Sequence, residues 1–536
     1  MSDGPGISDH LHLLRVFARC GIVAPARPDK ILRAARAVIR WGPTPAGGYG
    51  FNTALYPQRI AVIDERGTVT YEEISRRTNA IANGLAELGV EAGDNVAVMC
   101  RNHRGWVEST LALSKLGAHA LYLNTSFAAP QVKHVCSVER PTAIICDEEF
   151  EPLVTGAHGA KRTIRAWSDT AGAVSLESLA AGDDSPRQPP RQKGRFLILT
   201  SGTTGAPKGA DREQPKSLHP AAALMDRIPL RARQPTLIAS PLFHSWGFAQ
   251  FTVGMALSST IVLSRTFDAE GTLALIERHK VRHLIVVPVM LQRLLDLPRA
   301  TVASHDTSSL RVIAASGSAL PGELALHVMD RFGDVLYNLY GSTEVAWATV
   351  AGPRDLRRAP GTAGRPPRGT TIRLVDASGR DVPDGSPGRI FVVNELQMRG
   401  YTEGGNKETL GEYMATGDVG QFDQAGRLFV NGRDDEMIVS GGENVFPREV
   451  EDLLVEHEAV AEVAVLGVQD AQFGQRLQAF VVLHEGAAAT ADELRDYVRT
   501  NLAGYKVPRE IVFVDALPRN ETGKIVKRDL AGLTST

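Results

Sequence analysis

The sequence predicts an α/β protein: a large N-terminal domain of layered βαβ sheets carrying a small β-subdomain, then a small C-terminal α+β domain. Three observations carry this expectation. The chain has 536 residues, too many for one ordinary hydrophobic core. From residue 51 to about residue 350, short apolar runs alternate with helical patterns, as parallel βαβ units require. After Gly432 the pattern restarts in a stretch of about a hundred residues, the ordinary size of one domain. The expected divisions are an N-terminal basic amphipathic segment over 1–50, a large domain over 51–434 and a small one over 435–536.

In the N-terminal segment, Pro28 opens a helix through Trp41, with Arg33, Arg36 and Arg40 on one side and Ile31, Leu32, Ala35, Val38 and Ile39 forming an apolar face. Seven Lys or Arg stand against three Asp in residues 1–50. Two readings follow: a helix docked on the next domain, or peripheral contact with an anionic membrane surface. Beyond it, the apolar runs Ala61–Ile63, Asn95–Met99, Ala120–Leu123 and Thr142–Cys146 read as strands, with helical patterns over Tyr71–Leu88 and Val107–Leu116. The stretch 155–194, rich in Ala, Asp, Arg and Pro, reads as a loop-bearing connection to the strand Phe196–Thr200.

Alternation resumes at Thr236–Ala239, Ile261–Leu263, Leu284–Val287, Arg311–Ala315 and Val335–Leu339, with a helix at Leu273–His279. Gly and Pro clusters over 358–390, with short strands Thr371–Val375 and Gly388–Val393, suit the β-subdomain. The last part reads as helix Pro447–Glu456, strands Val460–Gly467 and Leu477–Leu483, helix Ala491–Leu502 and strand Glu510–Val514.

Hydrophobic residues make up 43% and charged residues 22%, the balance of a globular protein rather than a disordered or fibrous one. A formal charge of −2 provides no global field for nucleic acid. Cys20, Cys100, Cys136 and Cys146 show no metal or disulfide spacing, which fits reduced thiols. Without a secretory signal or a run of ~18 apolar residues, the chain is expected in the cytoplasm, with peripheral membrane contact confined to the N-terminal segment.

The strongest local signal is Thr200-Ser201-Gly202-Thr203-Thr204-Gly205-Ala206-Pro207-Lys208, directly after an apolar strand. Glycines let backbone N–H groups approach oxygens, the hydroxyls add donors and Lys208 adds charge, a composition suited to polyphosphate. It is not a Walker A loop, because Gly209 follows Lys208 where Ser or Thr is required. Further on, Gly317-Ser318-Ala319 forms a small-residue turn, Tyr340 offers an aromatic face for adenine, Thr343 a phosphate donor and Glu344 a hard oxygen ligand for Mg²⁺. Asp418, after Thr416-Gly417, is placed to accept from ribose hydroxyls.

The phosphate-type loop resembles that of the acyl-adenylate-forming enzymes, the superfamily of acyl-CoA synthetases, peptide-synthetase adenylation domains and beetle luciferases. The resemblance recurs in order at Ser316–Pro321, Tyr340–Glu344, Thr416–Asp418, Gly432–Asp435, Gly441–Asn444 and Pro518–Lys524, and spans roughly residues 51–530. It implies that Arg433 approaches the ribose and that Lys524 reaches the reacting centre from the C-terminal domain. It also implies that Asp435 is a hinge, making that domain a mobile lid, and that Gly441, Gly442 and Glu443 lie on the loop receiving the pantetheine arm. ATP, Mg²⁺ and coenzyme A are the implied cofactors.

His244, in Pro241–Gly247, occupies the place where amino-acid-activating relatives carry an aspartate that pairs with the substrate amine. It is grouped with Lys524, Thr343 and Glu344 at the expected catalytic centre. Trp246 and Phe248 either border an apolar acyl channel or belong to the core. The expected reaction is formation of a fatty acyl-CoA, with long chains favoured. The alternatives are a medium-chain or aryl-CoA ligase, an acyl-AMP ligase loading a carrier protein, luciferase-like oxidation of the adenylate, or a non-catalytic nucleotide- or acyl-binding protein.

Overall fold

The structure is a computed structural model that describes residues 7–157, 159–170, 172–200, 208–211, 217–402, 404–440, 443–470, 474–520 and 524–530. Among them, two large sheets form the N-terminal part. The first runs in the order Thr349–Ala351, Leu336–Tyr340, Val312–Ala315, His283–Val286, Pro235–Ile238, Thr260–Val262, Ile60–Asp64, Gly67–Thr70, parallel throughout except for its two edge pairings. The second runs Gly400–Tyr401, Lys208–Asp211, Phe196–Thr200, His119–Tyr122, Asn95–Met99, Ala143–Asp147, Arg162–Trp167, antiparallel in its first two pairings and parallel beyond.

Burial on both faces explains the near-continuous apolar strands. Successive strand residues point to opposite faces. Val96, Val98, Tyr122 and Ile145 therefore join the core shared with the first sheet, while Ala97, Met99, Leu121 and Ile144 pack with Val132, Val135 and Cys136 of the helix Ala129–Glu139. Helix Arg104–Leu116 is buried along its whole length within the shared core. All four cysteines are free and buried.

Local signals set element starts. Helix Tyr71–Glu87 begins at Thr70, whose hydroxyl accepts from the Glu73 N–H while Glu73 reaches back to the Thr70 N–H. Within the connection 155–194 the structure places the strand Arg162–Trp167 and helix Leu176–Ala180. The strand lies at a sheet edge with Arg162 and Thr163 exposed and Arg165 half-buried, so its apolar pattern is diluted and the sequence reads as connection there. The polar run after Lys208 forms the strand Lys208–Asp211, paired antiparallel to Phe196–Thr200.

The β-subdomain is an antiparallel sheet of Thr371–Val375, Gly388–Val393, Tyr413–Phe422, Thr409–Leu410 and Leu428–Arg433. In the C-terminal unit, helices Pro447–Val455 and Ala491–Asn501 place Val450, Leu454, Leu494 and Val498 against Val463, Val465, Ala479 and Val481 of the long hairpin Val460–Asp470 and Gly474–Leu483. Among the described residues, no helix is long and apolar enough to cross a membrane.

Candidate active site

In open parallel sheets, ligands collect beyond the carboxyl ends of the strands, where connecting loops diverge. Three strands of the first sheet, within a run of four neighbours, send the predicted residues there. Tyr340 ends Leu336–Tyr340 and leads to Gly341, Thr343 and Glu344. Val312–Ala315 leads to Gly317, Ser318 and Ala319, and Pro235–Ile238 leads to His244, while His283–Val286 lies between them in the sheet. Gly341 is required by close approach: a Cβ there would lie 2.2 Å from the Ala346 carbonyl oxygen. The Ser342 hydroxyl then accepts the Glu344 N–H at 3.2 Å, fixing the turn that presents Glu344.

Tyr340 and Asp418 come from different sheets and meet side chain to side chain. The Tyr340 hydroxyl donates to Asp418 Oδ2 at 2.5 Å. Arg433, the cross-strand partner of Asp418, places a guanidinium nitrogen 3.5 Å from Oδ1. Burial raises the Asp418 carboxyl above its ordinary value, opposed by the Tyr340 hydrogen bond, Arg433 and Lys524. An acceptor with this support suits a diol donor such as ribose.

Glu344 has a partner that the sequence did not reveal. The Tyr401 hydroxyl donates to Glu344 Oε1 at 3.0 Å, and the Lys208 ammonium stands 5.5 Å from the Tyr401 ring centre. Tyr401 pairs with Ala210, and the Thr402 N–H donates to the Gly209 carbonyl at 2.9 Å. One short strand thus ties the phosphate-loop lysine to the acidic candidate for metal binding. Its sequence signal is slight, since Gly400-Tyr401 has the length of a turn and its role depends on pairing with Lys208–Asp211.

Lys524 enters from the C-terminal unit. The Asn520 side-chain oxygen accepts the Lys524 N–H at 3.0 Å, and the Asn520 N–H donates to the Lys524 carbonyl at 2.9 Å. The residue is exposed, and desolvation, with Arg433, lowers its ammonium pKa against the attraction of Asp418, Glu344 and Glu436. Three residues on, Lys527 bridges Glu436 at 3.2 Å and Glu451 at 3.1 Å, an anchor the sequence reading missed because it requires three separate segments.

His244 stands at the start of helix Ser245–Ala256, its pKa depressed to about 3 by burial first and then by Lys524. Its Nε2 is buried and has no hydrogen-bond partner among the described residues. A polar atom in that condition marks a position where a substrate atom can supply the missing bond. Trp246 is buried and its indole N–H donates to the Val286 carbonyl at 3.0 Å. Phe248, one helical turn after His244, lies within 6.1 Å of Trp106, 5.6 Å of Tyr122 and 5.4 Å of Phe196, ring centre to ring centre.

The remaining expected residues are placed only in part. Ser201, Gly202, Thr203, Thr204 and Gly205 lie outside the described residues, though their flanks Thr200 and Lys208 are a paired cross-strand couple. Gly441 and Gly442 also lie outside them. Asp435 and Glu443 are described by backbone alone, in the short helix Asp434–Glu436 and the strand Glu443–Val445.

Comparison with known proteins matches residues 52–402 to the AMP-binding enzyme family and residues 449–524 to the AMP-binding enzyme C-terminal domain. A feruloyl-CoA synthase from an Amycolatopsis species is 34% identical, covering 89% of this chain and 96% of that protein. A fatty acid–[acyl-carrier-protein] ligase from Streptomyces coeruleorubidus is 31% identical over 90% of this chain and 94% of that protein. Among solved structures, the o-succinylbenzoate CoA synthetase of Bacillus subtilis in complex with its acyl-adenylate intermediate superposes with a TM-score of 0.80 at 27% identity, covering 91% of this chain and 98% of that one. With the two-part architecture and the nucleotide-type site, these matches place the chain in the AMP-binding enzyme family as an ATP-dependent acid–thiol ligase that forms an acyl-adenylate and uses ATP, Mg²⁺ and coenzyme A.

Proposed function

We propose that the acid is a free fatty acid, activated as its adenylate and passed to coenzyme A. The observation that carries this reading is the neutral His244 followed one turn later by Phe248, packed against the rings of Tyr122 and Phe196. A neutral imidazole has no charge with which to hold the ammonium of an amino acid, and the rings favour an apolar tail. The relative from Streptomyces coeruleorubidus, a ligase named for a fatty acid and a carrier protein, supports a fatty acid as the substrate. An aryl acid is the second reading, favoured by the feruloyl-CoA relative and by the same rings.

In this proposal a carboxylate oxygen of the acid attacks the α-phosphorus, the bond to pyrophosphate breaks, and charge builds on the bridging oxygens. The Lys524 ammonium stabilises that charge more in the transition state than before it. Lys208 and the Thr200–Gly205 loop hold the phosphates, with Thr343 donating to the α-phosphate. Asp418 and Arg433 hold the ribose, and Tyr340, Gly317, Ser318 and Ala319 hold the adenine. Glu344 fits Mg²⁺, because the Tyr401 hydroxyl satisfies one oxygen without neutralising the carboxylate. When bound, the ion supplies positive charge beside the phosphates. The unit beyond Asp435 then turns, withdrawing Lys524 and bringing Gly441, Gly442 and Glu443 to the site. The coenzyme A sulfur attacks the acyl carbon, its proton is released, and AMP leaves.

The test is acid-dependent exchange of labelled pyrophosphate into ATP across fatty acids of increasing length, with ferulate, benzoate and amino acids alongside, followed by thioester formation with coenzyme A or a carrier protein. Exchange driven by fatty acids and completed by coenzyme A is the expected result. A preference for ferulate moves the aryl reading to the front, and exchange driven by amino acids overturns both.

A further inference from the structure

We propose that helix Pro28–Trp41 is a docking face for an anionic lipid bilayer. The helix divides into three faces rather than two. It packs closely on two glycines of helix Pro45–Leu55: a Cβ at Gly50 would lie 3.3 Å from the Ala37 Cβ, and one at Gly47 would lie 3.3 Å from the Trp41 Cβ. Ala34 is buried on that side, and the Lys30 ammonium donates to the Leu55 carbonyl at 3.3 Å. The apolar face predicted from sequence is not the docked one. Ile31, Leu32, Val38 and Ile39 are 50%, 61%, 43% and 84% exposed, although burial of such side chains is favoured by roughly 25 cal/mol per Å².

The third face carries Arg33, Arg36 and Arg40, all exposed beside the apolar stripe. Five basic side chains over 27–41 stand against the single carboxylate of Asp29, which pairs with Arg27 and Arg33. Between this helix, helix Pro45–Leu55 and the start of helix Tyr71–Glu87 lies a groove of about 380 Å³ bordered by Lys30, Arg33, Thr53, Glu72 and Ser75. Glu72 accepts from Gln58 at 2.6 Å, and Lys30 and Arg33, each held by a single neighbour, the Leu55 carbonyl and Asp29, are the cations that border the groove. An apolar stripe flanked by arginines is the pattern that settles at the boundary between headgroups and acyl chains. A second copy of the chain is the poorer occupant, because four aliphatic side chains expose far less than the roughly 800 Å² per partner of a standard interface.

The test is flotation of the full chain with vesicles of phosphatidylcholine alone or with about one-third phosphatidylglycerol, at low and high salt. The expected result is recovery about tenfold greater on the anionic vesicles, reduced by salt. Leu32→Asp with Ile39→Asp should abolish it, and Arg36→Gln with Arg40→Gln should weaken it, while pyrophosphate exchange stays at the wild-type level and reports intact folding. Equal recovery on both vesicle types, no recovery, or flotation indifferent to Leu32→Asp with Ile39→Asp overturns the proposal. So does a concentration-dependent dimer lost in that variant without vesicle binding, which assigns the face to a second copy. Vesicle binding itself does not depend on which acid is the substrate, and any acid that drives exchange in the wild type serves the folding control.

Discussion

Asp418 and Glu344 belong to the large N-terminal part, each with a tyrosine hydroxyl against its carboxylate, at 2.5 Å and 3.0 Å. Lys524 approaches these groups from the C-terminal unit, held through its backbone by Asn520. Among the described residues, no carboxylate lies within ion-pair distance of its ammonium, whereas Lys527 contacts two, and the balance of desolvation and attraction lowers the first pKa and raises the second. Side-chain locking suits groups that hold nucleotide throughout. A lysine fixed by its backbone, with its ammonium left to the cleft, suits a group that serves one step and then withdraws.

The sharpest way to break this contrast is Lys524→Ala. Pyrophosphate exchange should fall by about 10²- to 10³-fold, the scale of a lost transition-state donor, while transfer from a supplied acyl-adenylate to coenzyme A changes little. Equal loss in both halves would make Lys524 a static binding residue. Its pH dependence adds a second test. The ammonium is the active form and its pKa is lowered, so exchange should decline with rising pH below the ordinary lysine range, and Lys524→Arg should move that alkaline limb upward.

Tyr401→Phe keeps the ring beside Lys208 but removes the donor to Glu344. It should reduce kcat/KM for MgATP about tenfold, the worth of a hydrogen bond to a charged group, and should raise the Mg²⁺ concentration needed for half-maximal exchange. An unchanged Mg²⁺ dependence would confine Tyr401 to a structural role. Lys527→Met should have the smallest effect, a loss of a few-fold in exchange with KM for ATP unchanged, because it loosens the anchor three residues after Lys524 without touching the nucleotide. A large rise in KM would show that Lys527 also supports the nucleotide-holding part.

Much of this was legible in the chain. Strands Asn95–Met99, Phe196–Thr200, Thr371–Val375 and Gly388–Val393 and helix Pro28–Trp41 have the bounds expected from their patterns. Thr343, Glu344, Tyr340, Asp418 and Lys524 stand out in the sequence as candidates because each lies in a short motif with its own chemistry. Tyr401 and Lys527 were not, because their meaning lies in partners 57 residues away for Glu344 and 91 away for Glu436.

The sequence by itself determined the local structure, the family and the residue types of the site, since periodicity, capping and motifs are properties of neighbours along the chain. The tertiary structure decided which side chains meet: Tyr340 with Asp418, Tyr401 with Glu344, and Lys524 across from both carboxylates. It also decided which face of helix Pro28–Trp41 is buried. Hydrophobic periodicity predicts that a helix has an apolar side, but the close approach to Gly47 and Gly50 is made by Trp41 and Ala37 and leaves Ile31, Leu32, Val38 and Ile39 to the outside.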